Sequence, residues 1–270
     1  MKRARRIKAN PPWRRLHQTW QRLLGHERYK SNQVSFLEFV HQRYKQVRFP
    51  SVAEARRVEG ILRSTAGSGL FPILVHRLES TLWVRFVAGT NVNATDPLHL
   101  DAVYKFFATL YAQRPRQLAL TETDVPDRLR VHIETLAEVG QLADARARRL
   151  LELGSELEPE SMWFGLEYVD SLQKNLILAD TGVVGIDIEA AWDDQLLGQG
   201  LAKARLRWLH QPTGEILDRL IDLGAPDLRE QYPYAELMFL ALYNIQSLFR
   251  GKPGRVPPEA FNALLAQYDR

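Results

Sequence analysis

Tyr168-Val-Asp-Ser-Leu-Gln-Lys-Asn-Leu-Ile-Leu-Ala-Asp-Thr-Gly-Val-Val-Gly-Ile-Asp-Ile-Glu189 is the stretch on which the reading of this chain turns. Two short apolar runs, 176–178 and 183–188, flank the turn Asp180-Thr-Gly182, a pattern that predicts a hairpin of two short strands. Its polar residues fall at the edges. Asp170 lies on the loop before the first strand, Asn175 at the entry to that strand, and Asp187 at the exit of the second. A hairpin sets the entry of one strand beside the exit of the other, so Asn175 and Asp187 are expected to converge, with Asp170 nearby. An acid between Ile186 and Ile188 is costly to bury unless a metal or a partner satisfies it. Phosphoryl transfer uses such a group. One carboxylate orients or deprotonates the attacking hydroxyl, while an amide oxygen and a second carboxylate hold Mg²⁺ against the phosphates.

Upstream of this stretch the chain reads as a small sheet with one inserted helix. Runs 34–40 and 43–49, rich in Val, Phe and Tyr, predict a hairpin. Ser51 with Glu54 three residues on is a capping-box pattern that opens a helix ending near Arg63. Thr65-Ala-Gly-Ser-Gly69 predicts a turn, and strands are expected over 71–75 and 81–87. From there the periodicity is helical, over 97–113, 126–139, 141–153, 194–209, 213–223, 233–249 and 257–268, interrupted once by the hairpin. The fold class expected is α+β. It comprises a basic arm (1–30), a strand-rich N-terminal lobe (31–90), and a larger helical C-terminal lobe (91–270) carrying the hairpin.

Composition narrows the chemistry. Among 270 residues there is no cysteine, which excludes disulfides, thiolate nucleophiles and iron–sulfur ligation. The seven histidines are scattered without ligand spacing, and no Gly-x-Ser-x-Gly elbow occurs. No apolar run reaches the roughly 20 residues of a membrane span, and no signal peptide is expected, so the expected location is the cytoplasm. The net charge of +4 is uneven: ten of the 36 bases and only one of the 32 acids lie in residues 1–30. That segment reads as unstructured over 1–10 and as a helix over 13–24 with Trp13 and Trp20. It suits an anionic membrane surface or another polyanion, and makes the inner membrane face a possible docking place. Gly198-Gln-Gly200 and Gly67-Ser-Gly69 lack the Lys-Ser/Thr of a phosphate loop and read as turns.

At Asp170-x4-Asn175 and Ile186-Asp187-x-Glu189 the sequence resembles the protein-kinase-like superfamily. The second motif is similar to the form found in aminoglycoside phosphotransferases and small bacterial lipopolysaccharide-core kinases. The resemblance implies a bilobal kinase-like fold with ATP and Mg²⁺ as co-substrate and cofactor. It implies Asp170 as catalytic base, Asn175 and Asp187 as magnesium ligands, and Asp193 or Asp194 as the acid supporting the loop. Lys45, with Arg48 as the alternative, is similar to the lysine that pairs with the phosphates, and Glu59, with Glu54 as the alternative, to its partner. The backbone of Arg85–Val87 would bond adenine. The implied acceptor is a small-molecule or glycolipid hydroxyl, with nucleic acid an unlikely partner. Three features depart from the family pattern. No glycine occurs between Glu27 and Glu59, Tyr168 stands where the family has His, and Val58 stands where its helix often has Glu. They leave two further readings. One is a pseudokinase acting as a regulatory module. The other is a two-metal exonuclease in which Asp187-x-Glu189 is the first motif.

Overall fold

The computed structural model describes residues 5–7, 32–39, 41–249 and 258–268. The chain divides into two compact units, Met1–Val92 with Lys174–Ala191, and Asn93–Gln173 with Trp192–Arg270. The hairpin, grouped in the sequence reading with the helices, packs within the strand-rich unit.

The first unit is built on a five-stranded antiparallel sheet of β1 (Arg5–Ile7), β2 (Gln33–Phe39), β3 (Gln42–Arg48), β4 (Leu74–Leu78) and β5 (Thr81–Arg85), in the order β1-β2-β3-β5-β4. Residues 5–7, expected to be unstructured, pair with β2 as an outer strand, Arg6 opposite Leu37. The helix expected over 13–24 lies outside the described residues. Alternation along β5 buries Leu82 and Val84, and Val47 of β3 joins them. Helix α1 (Val52–Ser64) follows β3 and packs on β4 and β5. Ser51 caps it, its hydroxyl accepting from the Glu54 amide at 3.1 Å. Its buried face is Ala55, Val58, Ile61 and Leu62, the spacing that turns one helical stripe inward. Val58 is thus a core residue, which explains why no glutamate stands there.

The second sheet of this unit joins β6 (Thr90–Asn91), β9 (Leu176–Ala179) and β10 (Gly182–Gly185) in the order β10-β9-β6. Gly89, at φ +151°, lets the chain come against β9, where a Cβ would collide with the Leu178 carbonyl. The Gly185 amide donates to the Leu70 carbonyl at 2.9 Å, tying the hairpin to the chain after α1.

The second unit holds helices α2 (Pro97–Tyr111), α3 (Val125–Glu138), α4 (Asp144–Glu156), α5 (Gln199–Arg207), α6 (Thr213–Asp222), α7 (Tyr232–Phe249) and α8 (Pro258–Tyr268). It also holds an unexpected three-stranded sheet of β7 (Arg116–Ala119), β8 (Ser161–Tyr168) and β11 (Ala191–Leu196), in the order β11-β8-β7. Because 191–196 are strand, the helix expected from 194 starts only at Gln199. None of the described helices is long and apolar enough to cross a membrane.

One buried carboxylate joins this sheet to α5. Glu167, near the end of β8, has no solvent exposure. It accepts from the amide of Gly198 at 2.8 Å, from the amide of Tyr168 at 2.9 Å, and from the Tyr111 hydroxyl at 3.4 Å. The acid satisfies amides at the start of a helix, where negative charge is also favoured by the helix dipole. Burial nevertheless pushes its pKa up to about 7, against the opposing pull of the Tyr168, Gly198 and Gly200 amides. Gly200 permits the approach, since a Cβ there would collide with the Tyr168 carbonyl and the Glu167 carboxylate.

Two outcomes follow for stability. Gly89→Ala is expected to lower the thermal midpoint by several degrees, on the order of 2 kcal/mol for a forced backbone shift, with an unchanged midpoint contradicting the packing of 89 on β9. Glu167 has a folded pKa raised above its unfolded value, so its neutral form favours folding and that advantage fades as pH rises through 7. Denaturant titrations at pH 5 to 8.5 are expected to show wild type losing up to about 3 kcal/mol relative to Glu167→Gln over that span. A pH-independent difference would contradict it.

Candidate active site

The hairpin register brings two of the expected ligands together. Gly182 pairs with Ala179 and Gly185 with Leu176, and the Ile186 amide then donates to the Asn175 carbonyl at 2.9 Å. Asp187 therefore follows directly beyond the residue that faces Asn175. Asn175 is 8% exposed, and Asp187 leads into a short turn closed by the Ala190 amide on the Asp187 carbonyl at 2.9 Å. An amide oxygen and a carboxylate on adjacent ends of one hairpin could supply a hard, two-oxygen donor set. That suits Mg²⁺, which commonly takes one or two protein oxygens and completes its shell with water and phosphate.

Lys45 reaches the same hairpin. It stands on β3 opposite Val84, and its ammonium donates to the Ile186 carbonyl at 2.6 Å, one residue before Asp187. The expected Lys45–Glu59 pair is not formed. Glu59 instead accepts from Arg63 one turn on, at 2.8 Å, and from Arg77 of β4. These two guanidiniums hold its carboxyl below the usual range, although its partial burial works in the opposite direction. The reason is rotational: position 58 faces the core, and position 59 lies about 100° further around the helix. What α1 does send to the hairpin is Arg57, missed in the sequence. Its guanidinium donates to the carbonyls of Ala191 at 2.6 Å and Glu189 at 3.3 Å, gripping the chain just after Asp187. Nothing in Ala55-Arg-Arg-Val-Glu59 marked that arginine out.

The backbone amides of the 85–87 segment are partly committed to the sheet. The Arg85 amide donates to the Ile73 carbonyl at 2.8 Å and the Phe86 amide to the Arg43 carbonyl at 2.9 Å, so both serve the sheet. A cavity of about 780 Å³ in this unit is lined by the 67–69 turn, residues 71–75, residues 85–88 and the Asp180–Thr181 turn. Lys45, Asn175 and Asp187 are not among its walls.

In the second unit Asp170 is 26% exposed and forms an ion pair with Lys203 of α5. Its loop is pinned on both sides: the Leu172 amide donates to the Asp170 carbonyl at 2.8 Å, the Ser171 hydroxyl donates to the Gly200 carbonyl, and the Trp208 indole donates to the Ser171 carbonyl at 2.9 Å. Tyr168, where a histidine was expected by resemblance, is fully buried and packs edge-on against Phe106. Asp194 does not support this loop. It is exposed, pairs with Arg116, and sits at φ +60°. Glu167, just before the loop, accepts instead from the Tyr168 and Gly198 amides. Gly198-Gln-Gly200, read as a turn, opens α5, and its glycines serve the Glu167 contact.

No protein-family model matches this chain, and no curated protein matches it in sequence. Solved structures do. The choline kinase LicA from Streptococcus pneumoniae matches with a TM-score of 0.62 at 14% identity, over 94% of this chain and 99% of that one. The macrolide 2'-phosphotransferase MphH from Brachybacterium faecium matches with a TM-score of 0.60 at 14% identity, over 88% of each chain. A thermostable mutant of the aminoglycoside phosphotransferase APH(4)-Ia, in ternary complex with ADP and hygromycin B, matches with a TM-score of 0.62 at 13% identity, over 94% of this chain and 98% of that one. Identities this low speak for fold rather than substrate. Taken with the strand order β1-β2-β3-β5-β4, the helix after the third strand and the hairpin bearing Asn175 and Asp187, they establish that this chain has the protein-kinase-like fold.

Proposed function

We propose that the chain is an ATP- and magnesium-dependent phosphotransferase acting on a hydroxyl of a small molecule, a glycolipid headgroup included. The observation that carries this reading is the hairpin register that sets Asp187 beside Asn175, with the Lys45 ammonium on the intervening carbonyl. The small-molecule kinases that share the fold support the acceptor class, and their ADP and AMP complexes support the nucleotide.

In this reading Asp170 orients the acceptor hydroxyl and takes its proton. The acceptor oxygen bonds to the γ-phosphorus, the bond from that phosphorus to the bridging oxygen breaks, and ADP leaves with the electron pair. Asn175 and Asp187 would hold Mg²⁺, which neutralises phosphate charge when bound. Lys45 would exchange the Ile186 carbonyl for a phosphate oxygen, and Val87 would donate to adenine. The basic residues 1–30 favour an anionic acceptor or an anionic membrane surface. The Asp187-x-Glu189 nuclease reading loses its support with the fold. The regulatory-module reading keeps in its favour the absence of a glycine between Glu27 and Glu59, to which the absence of a Lys45–Glu59 pair is added.

Thermal unfolding with and without millimolar ATP and Mg²⁺ tests this on wild type and Asp187→Ala. Nucleotide at about a hundred times its Kd adds about 2.7 kcal/mol to the native state. A magnesium-dependent rise is expected in wild type, with both the rise and turnover lost in Asp187→Ala. Replacing the arginines within residues 2–15 by alanine is expected to weaken surface or acceptor association alone. No rise in wild type contradicts the reading. A rise without phosphate release favours the regulatory module.

A further inference from the structure

Lys203 was not singled out by any motif, yet it forms an ion pair with the proposed base. Its ammonium donates to Asp170 Oδ1, its side chain is 7% exposed, and it lies 4.9 Å from the centroid of the Tyr243 ring on α7. Lysines are seldom so buried without a partner. The loop it touches is already fastened to α5 and its flank by other means. Glu167 holds the Gly198 amide, Ser171 holds the Gly200 carbonyl, and the Trp208 indole holds the Ser171 carbonyl. The place of the loop is therefore set without the ammonium. A buried ion pair also adds little net stability over a well-packed apolar replacement. What Lys203 supplies is a fixed positive charge at one oxygen of one carboxylate. Its aromatic neighbour shields that charge from water.

We propose that Lys203 is a positioning residue for phosphoryl transfer, fixing the Asp170 carboxylate through Oδ1 so that it presents to the acceptor hydroxyl. This rests on the assignment of Asp170 as the base. The geometry behind it is closed within one unit. Glu167 sets the start of α5 and Gly200 allows the close approach. Lys203, one turn later, then meets Asp170, three residues after Glu167. Helical spacing of three to four residues puts Gly200 and Lys203 on the same side of α5, facing the loop.

The test is MgATP hydrolysis to water, followed as phosphate release without any added acceptor. Wild type is compared with Lys203→Met, Lys203→Arg, Asp170→Asn and the Lys203→Met/Asp170→Asn pair. Methionine keeps the length of the side chain and its packing on Tyr243 without charge. Lys203→Gln makes the same comparison should the methionine variant not fold. Lys203→Met is expected to keep the nucleotide-induced rise in midpoint and the KM for MgATP. It is expected to lose roughly ten- to hundredfold in kcat, a part of the about 10²–10⁴ that a positioned base contributes. Lys203→Arg, which retains the charge, is expected to be faster than Lys203→Met. The double variant is expected to be no slower than Asp170→Asn alone, because the lysine acts through that carboxylate. A wild-type rate in Lys203→Met, equal rates for the arginine and methionine variants, or a double variant slowed by the product of the single losses would each overturn the proposal. The two assignments fail differently. Asp170→Asn at the wild-type rate removes the base assignment and the lysine's role with it. A slow Asp170→Asn beside an unaffected Lys203→Met removes the lysine's role alone.

Discussion

The hydrogen bond from the Ile186 amide to the Asn175 carbonyl is the contact on which the rest of the site depends. It continues the β9–β10 ladder by one step past Gly185 and Leu176, and so decides which residues emerge side by side at the open end of the hairpin. A slip of one residue would send Asp187 to the opposite face. Three contacts from the surrounding unit guard that register. Lys45 donates to the Ile186 carbonyl, Arg57 grips the carbonyls of Glu189 and Ala191, and Gly185 donates to Leu70. The chain on either side of Asp187 is thus held through its backbone.

The second unit solves a similar problem with a different device. The loop bearing Asp170 follows β8 directly, and β8 ends in a buried acid. By accepting from the first amides of α5, Glu167 does for that helix what a capping side chain ordinarily does, but from a neighbouring strand. The cost is a carboxyl whose pKa is lifted to about 7 by burial. The gain is a helix whose start cannot drift from the loop, with Gly200 as the one residue type that fits the gap.

Much of this was legible in the chain itself, because it rests on local pattern. The hairpin was marked by two apolar runs around Asp180-Thr-Gly182, α1 by Ser51 and Glu54, and the candidate ligands by an amide and an acid placed at strand ends. What sequence could not supply was pairing between distant segments. Residues 5–7 gain strand structure only from β2, and their own composition, Arg-Arg-Ile, carries no strand signal. β8 is buried nearly throughout, so it lacks the alternation that distinguishes a strand from a core helix. Glu59 was chosen for its charge, whereas the helix phase gave its neighbour Val58 the inward direction. Lys203 and Glu167 were invisible for the same reason: their importance lies in partners some thirty residues away.

A crystal structure of the chain grown with Mg²⁺ and a non-hydrolysable ATP analogue would test the central assignment most directly. The account predicts the metal bound by the Asn175 amide oxygen and the Asp187 carboxylate, with the Lys45 ammonium moved from the Ile186 carbonyl to a phosphate oxygen. A nucleotide held elsewhere, or held with Lys45 still on Ile186 and no metal at Asp187, would contradict it.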